Sequence, residues 1–187
     1  MTDTQLAPSG AATEVAERRF AAFVVSHRAW AVRVAWRLCG GDAGAAEDVA
    51  QEAFVRAWRA LDGFREDAAL STWFHRILVR QALNHHRARV VRQRLAQWFG
   101  GLIDPSAPAP DPDRGLARRI GAAVEALPGR QRAAFVLVHL EERPLADAAA
   151  ALGPSVGTVK VHLHRARQRL RESLGDLAPD ANEEGAR

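Results

Sequence analysis

The sequence predicts an all-α chain of two small helical units joined by a flexible linker. Three observations predict it. Apolar residues recur at three- and four-residue steps through most of the chain, the period of an α-helix. One internal stretch, Gln97 to Arg114, loses that period and is rich in Pro, Gly and Ala. Near the C-terminus, a short turn feeds a strongly amphipathic segment, Leu152 to Arg171, in the pattern of a helix-turn-helix. The expected organisation is a flexible tail over 1–13, a helical unit over 14–96, a linker over 97–114, a second unit over 115–174 and a tail over 175–187.

Composition sets the outer bounds. A length of 187 residues suits one large or two small domains, and 48% hydrophobic residues suffice for real cores. The net charge of +4 and the pI of about 10.7 favour a polyanionic partner. Lys160 is the only lysine, so nearly all of the positive charge is arginine, which suits forked contacts to phosphate and guanine. Cys39 is the only cysteine, which rules out an intramolecular disulfide and weighs against a cysteine-based zinc site. The chain has no run of about 18 apolar residues and no signal-peptide pattern. A cytoplasmic protein is expected. No general acid, nucleophile or metal constellation stands out, so the expectation is a non-enzyme with no cofactor, no metal and no small-molecule substrate.

The first helix is expected from Glu14. Phe20, Phe23, Val24, His27, Ala31, Val34, Ala35 and Leu38 fall on its core side, and Trp30 and Trp36 are expected to pack inside. Gly40, Gly41 and Asp42 stop it. A second helix follows from Ala43 to Leu61, with Val49, Ala53, Ala57 and Leu61 as its stripe, helped by Phe54 and Trp58. Glu47, Asp48, Gln51, Glu52 and Val55 stay outside. An acidic patch on a basic protein is a poor DNA contact; it is either a solvated face or a dock for a basic protein partner.

Asp62 to Ser71 is expected as a loop carrying Phe64 and Arg65. The third helix, from Thr72 to about Leu95, has Trp73, Phe74, Ile77, Leu78, Ala82 and Leu83 for the core. It offers His75, Arg76, Arg80, Asn84, Arg87, Arg89, Arg92 and Arg94 as polar and basic groups. Rings beside guanidiniums are what single-stranded nucleic acid needs, the first for base stacking and the second for phosphates. His85 and His86 are adjacent on a helix and point in different directions, so they make a poor metal site. The linker then adds three aspartates between two basic units.

In the second unit a short helix runs to Leu127 with Leu116, Ile120, Val124 and Leu127 inside. Pro128 opens the next helix, with Phe135, Val136, Leu137, Val138 and Leu140 mostly buried. Glu141, Glu142 and Arg143 end it. Pro144 is expected at the first position of a short alanine-rich helix, LADAAAAL. Gly153 and Pro154 break that helix, and Ser155 caps the last one. Val156, Val159, Leu163, Ala166, Leu170 and Leu174 form its apolar stripe. Winding at about 100° per residue puts Thr158, Val161, His164, Arg165 and Gln168 on the opposite side. That face suits a DNA major groove. The phrase GPSVGTVK lacks the Gly-Lys-Ser/Thr ending of a phosphate loop and follows a helix rather than a strand.

Four stretches, two in each unit and in the right order, carry a family resemblance. AAEDVAQEAFVRAW (Ala45 to Trp58) and STWFHRILVRQALNHHR (Ser71 to Arg87) resemble the AED-x-x-Q-x-x-F-x-x-A-W and TW-x-x-R-I segments of region 2 of the extracytoplasmic-function group of bacterial sigma-70 family RNA polymerase sigma factors. LPGRQRAAFVL (Leu127 to Leu137) and LGPSVGTVKVHLHRARQRLR are similar to the LP-x-x-x-R and S-x-G-TVK-x-x-L-x-RAR patterns of region 4. The resemblance covers about Glu14 to Leu174 except the linker, which stands in place of a middle domain.

The resemblance implies a region 2 helical bundle and a region 4 helix-turn-helix. It implies a transcription initiation subunit that binds core RNA polymerase, at the clamp of the largest subunit and at the flap, and that reads promoter DNA. Glu47, Asp48, Gln51, Glu52 and Val55 would dock on the clamp. Phe64, Arg65, Trp73, Arg76, Arg80, Asn84 and Arg87 would open and read the −10 element. Ser155, Thr158, Lys160, Val161, His162, Arg165 and Arg167 would bind the −35 element, with Lys160 and Arg167 on phosphates and Val161 on a thymine methyl. The acidic linker would run near the RNA exit path. An anti-sigma factor is a further partner implied by the family. The chain departs from the family pattern at Arg80, Asp147, Ala148, Val161 and His162, so its base preferences are its own. The alternative is a stand-alone helix-turn-helix regulator, for which the sequence offers neither a dimerisation surface nor a ligand-binding or phosphate-acceptor domain.

Overall fold

The computed structural model describes residues 10–64, 69–98 and 112–175. Among these residues the chain is helical, with turns and no strand. The helices are α1 (Gly10–Leu38), α2 (Ala43–Arg59), α3 (Leu70–Trp98), α4 (Pro112–Ala126), α5 (Gly129–Phe135), α6 (Leu145–Leu152) and α7 (Val156–Leu174). A 3-10 turn, Leu61–Gly63, follows α2, and a π-helical turn, Val136–Leu140, continues α5.

The first bundle is α1, α2 and α3. The Gly40–Gly41 turn joins α1 to α2, both glycines at positive φ, and Asp42 caps α2 by accepting the Ala45 N–H at 2.9 Å. Val34, Ala35, Leu38, Val49, Ala53, Phe54, Phe74, Leu78 and Ala82 form the centre, all buried. Phe54 and Phe74 stack with ring centroids 4.4 Å apart, and Phe23 meets both edge-on.

The elements differ from expectation in defined places. α1 begins at Gly10 rather than Glu14, extended by alanines that favour helix. α3 continues to Trp98, three residues past the expected end, and α4 begins at Pro112, inside the expected linker. Residues 1–9, 99–111 and 176–187, which hold most of the expected tails and linker, lie outside the described residues. Pro144 is the residue before α6, not its first position: its ψ of 146° is extended and the helix starts at Leu145. Trp36 and Trp58 are 47% and 39% exposed, because small residues at the neighbouring core positions leave each ring on a flank. Trp36 covers the Gly41 turn, and Trp58 meets Phe20 at 5.3 Å. Leu116 and Ile120 are also half exposed, on the outer side of α4.

The second half packs α4 to α7 around Val136, Leu137, Ala148, Val159, Leu163 and Ala166, all buried. The two halves pack against each other: α3 lies along α5 and α6, and α1 meets α5 and the π turn. Their buried apolar residues form one continuous cluster.

Candidate nucleic-acid and polymerase interfaces

α7 presents the simplest surface. Gly153, at φ 90°, ends α6 in the left-handed conformation that glycine adopts without steric penalty. Two residues on, the Ser155 hydroxyl accepts the Thr158 N–H at 3.3 Å and lies 3.0 Å from the Thr158 hydroxyl. Val159, Leu163 and Ala166 fix the helix on the core, buried as their spacing predicts. Thr158, Val161, His164, Arg165 and Gln168 are all exposed on the outer face, together with Lys160.

Two further expected DNA contacts on this helix, His162 and Arg167, have more particular surroundings. His162 is half-buried, and its ring Nδ1 is enclosed with no hydrogen-bond partner in the chain. Burial, then the charges of Arg130 and Arg165, lowers its pKa, so it is neutral at pH 7. The Arg167 guanidinium is held 3.0 Å from Nε2 of His139, whose pKa is lowered by burial and then by Arg167. Arg167 is therefore set on the π turn and is less free to swing than Lys160.

α3 presents a second polar stripe. Arg76, Arg80, Asn84 and Arg87 follow at steps of four, four and three, so they share one face, and all are exposed. That face borders the second half of the chain. It lines a cleft of about 1330 Å³ whose far wall is formed by Glu125, Leu127, Gly129, Arg130 and Leu152 of the second half. Arg76 is already engaged: its Nε donates to the Ala150 carbonyl of α6 at 3.0 Å. At the N-terminal end of the stripe, Trp73 is half-buried with its ring 5.0 Å from that of Phe64. Arg65 lies outside the described residues.

His75, expected among the polar groups of α3, is instead 7% exposed. Its ring lies tilted against Trp30 with centroids 3.9 Å apart, and the Arg143 guanidinium sits 5.2 Å from the centre of that indole. Burial, followed by the charges of Arg143 and His27, lowers its pKa to about 4. His86 is likewise lowered to about 4 by burial and then by Arg132 and Arg89. Arg132 itself is fully buried, donating from Nη1 to the Glu125 carbonyl at 2.8 Å. The final arginine of LP-x-x-x-R is therefore a packing and positioning group at the junction of the halves. Burial also pushes the Cys39 thiol up to about 11, leaving it protonated at pH 7.

The acidic face of α2 is outward. Glu47, Asp48, Gln51 and Glu52 are exposed and Val55 is half-buried. Glu47 pairs with Arg28 at 2.9 Å and Glu52 with Arg56 at 2.7 Å, both in solvent, where such pairs are weak and readily exchanged. Asp48, Gln51, Glu52 and Val55 are spaced three, four and seven from the first, a single ridge. Among the described residues, no three His, Cys, Asp or Glu side chains converge as a metal site, and no helix is long and apolar enough to cross a membrane.

Some groups at these surfaces could not be singled out from sequence. Glu141, expected only as a helix stop, has a side chain 2% exposed that accepts from Arg33 at 2.9 Å and from Arg37 at 2.5 Å. Arg89 pairs with Glu125 directly over Gly40, where a β-carbon would collide with both side chains.

Comparison with known proteins agrees with this geometry. The Sigma-70 region 2 family pattern matches residues 23–91, and the Sigma-70, region 4 pattern matches residues 117–170. The RNA polymerase sigma-H factor of Pseudomonas aeruginosa is 35% identical over 155 residues, covering 75% of this chain and 78% of that protein. The ECF RNA polymerase sigma factor SigM of Mycobacterium tuberculosis is 38% identical over 145 residues, 73% of this chain and 68% of the relative. SigW of Bacillus subtilis is 30% identical, over 73% and 79% of the two chains. Among solved structures, the sigma factor RpoE in complex with the anti-sigma factor NepR from Bartonella quintana matches with a TM-score of 0.64 and 27% identity, covering 84% of this chain and 98% of that one. CnrH in complex with the cytosolic domain of CnrY matches at 0.62 and 28% identity, covering 87% and 91%. With both regions matched in order and relatives matched over most of their length, the chain belongs to the extracytoplasmic-function group of sigma-70 family RNA polymerase sigma factors, which bind core polymerase and direct it to promoters.

Proposed function

We propose the following division of labour. Region 2, residues 14–96, carries both the polymerase dock and the −10 reader. The α2 ridge of Glu47, Asp48, Gln51, Glu52 and Val55 docks on the clamp of the largest subunit. Phe64, Arg65 and Trp73 handle the opened base pairs, and Arg76, Arg80, Asn84 and Arg87 track the strand. Region 4, residues 115–174, binds the −35 duplex and meets the flap. Residues 97–114 join them, with acidic groups suited to a path lined for nucleic acid. The chain acts as a non-enzymatic initiation factor in the cytoplasm, needs no cofactor, and is held by an anti-sigma factor, as the matched RpoE is by NepR.

The observation that carries this reading is the outer face of α7. Its core stripe is buried to the last methyl at Val159 and Ala166, while Thr158, Val161 and Arg165 stand exposed in one row behind a hydroxyl cap. A row of that kind meets base edges, with Arg165 suited to guanine and Val161 to a thymine methyl. Lys160 and Ser155 lie beside it for phosphates. His162, being neutral, meets DNA as an uncharged imidazole rather than as a cation.

The test is reconstituted transcription. Purified chain added to core polymerase is expected to comigrate with it and to give transcripts from defined start sites. Failure to do either overturns the assignment.

A further inference from the structure

We propose that His139, on the π turn, is a positioning residue for DNA binding: its ring holds the Arg167 guanidinium in place for a phosphate of the −35 duplex. The inference rests on the assignment of α7 to that duplex.

α7 carries two polar rows. Thr158, Val161 and Arg165 belong to the outer one. Lys160, His164, Arg167 and Arg171 follow at steps of four, three and four, so they share one flank of the helix, and all four are exposed. At about 1.5 Å per residue the flank row is roughly 16 Å long. A row of cations beside a base-reading face suits the phosphates that border the groove.

Within this row, Arg167 is bonded to another element. Its Nε and Nη2 both face Nε2 of His139, at 3.3 and 3.0 Å. A guanidinium only donates, so Nε2 accepts, and the imidazole is the neutral form with its proton on Nδ1. Burial and then the charge of Arg167 lower the pKa of His139, which favours that form. The contact takes up one edge of the guanidinium fork and leaves Nη1 for a phosphate oxygen. An arginine that is already held loses less rotamer freedom when it meets that oxygen.

The chemistry of the acceptor separates presenting from withholding. A carboxylate at this place would grip Arg167 harder and would also cancel its charge toward DNA. An uncharged imidazole fixes the geometry and leaves the whole positive charge for the phosphate.

The ring is itself set by its surroundings. His139 lies inside the π turn Val136–Leu140, where the Glu141 N–H reaches back five residues to the Val136 carbonyl at 2.9 Å. The Phe135 ring lies tilted beside the imidazole with centroids 5.1 Å apart. π turns of this kind gather at functional positions, and one residue that this turn carries is the one bonded to α7.

The experiment measures binding of the full chain to a duplex of random sequence by fluorescence anisotropy, over a series of salt concentrations. Random sequence suffices because phosphate contacts carry no base information. The variants are Arg167→Ala, His139→Ala, His139→Phe, His139→Gln and the double variant His139→Ala with Arg167→Ala. Arg167→Ala should weaken binding and reduce the salt slope by about one. His139→Ala and His139→Phe, which keeps a ring beside Phe135 but has no acceptor, should each weaken binding by about threefold to tenfold. His139→Gln, with an uncharged acceptor, should recover most of the loss. In the Arg167→Ala background, His139→Ala should cost nothing more. Circular dichroism checks the fold, and His139→Phe and His139→Gln carry the comparison where His139→Ala fails to fold. Full affinity and an unchanged slope in Arg167→Ala overturn the phosphate role of Arg167, and the proposal with it. Weaker binding in Arg167→Ala with no loss in His139→Phe overturns the positioning alone. A gain in His139→Phe overturns it as well, because the ring would then be withholding Arg167. So does a loss from His139→Ala that persists without Arg167, the mark of a purely structural residue.

Discussion

α3 and α7 carry comparable sets of polar groups, yet the chain treats them in opposite ways. On α7 the outer row is exposed, with Thr158 bonded only to the neighbouring Ser155, while on its flanks His162 is half-buried and Arg167 is bonded to His139. On α3 the row faces a wall, and its first member is bonded across to the other half. The difference suits the roles proposed for the two helices. A duplex arrives with its base edges already in the groove, so a rigid, open helix is enough. A single strand has to be unstacked and held, and a surface of rings and guanidiniums left open would take any single strand on offer. One surface stands open, and the other lies beside a wall of the second half.

The deepest way to break that contrast is at Arg132, under the enclosed side. Arg132→Ala leaves a large void and unpairs the Glu125 carbonyl. The expected loss is about 3 kcal/mol in a urea melt, while Arg132→Met, which keeps the volume, should cost much less. On the open side, Arg165→Ala should weaken binding to a −35 duplex by roughly 1–3 kcal/mol and leave the melting temperature unchanged, as an exposed base-contacting arginine does. Equal losses of stability and binding would put Arg165 in the wrong class.

The enclosed side should also be the pH-sensitive one. His75 and His86 have folded pKa values near 4, below the ordinary 6.5. A histidine depressed in the folded state is neutral there and takes up a proton on unfolding. Its contribution is fully present above 6.5 and is lost as pH falls from there toward 4. Each group then tilts stability by up to about 1.4 kcal/mol per pH unit. His75→Phe should flatten the slope of a pH series of urea melts. A slope identical to that of the parent would mean that His75 is not held neutral. The smallest expected effect is Val161→Ser on α7. It should change preference at a single −35 base by about 1 kcal/mol, the lower end for a specific base contact, without changing affinity for random duplex.

How much of this was legible in sequence follows from how far apart the partners lie. α7 could be read almost completely. Its cap is three residues from its partner and its stripe is a local period, so Ser155, Val159 and Leu163 stand where the pattern puts them. The α2 ridge was equally local. On α3 the period told which residues share a face but not what that face meets. Arg76 is bonded 74 positions away, and His75 is enclosed by Trp30 and Arg143 from distant elements. Glu141 is the extreme case. Its partners are 104 and 108 positions back, and in sequence it is one acid in a helix stop. Leu116 and Ile120 failed in the other direction: their spacing is that of a core stripe, but α4 turns it outward. Trp36 and Trp58 were expected inside for their size, yet each ring lies on a flank of the bundle.

α6 gives the junction one last property. Its inner side is Ala148, Ala149 and Ala151, all buried. Alanine has no side-chain rotamers to order on burial, so a surface of methyl groups adds almost no side-chain entropy cost when it is remade. Two leucine-rich faces brought together must sort their rotamers before they seat. A face of this kind needs only to arrive. On the α6 side, therefore, seating the junction orders almost no side-chain rotamers, and the sorting falls to the residues that α6 packs against.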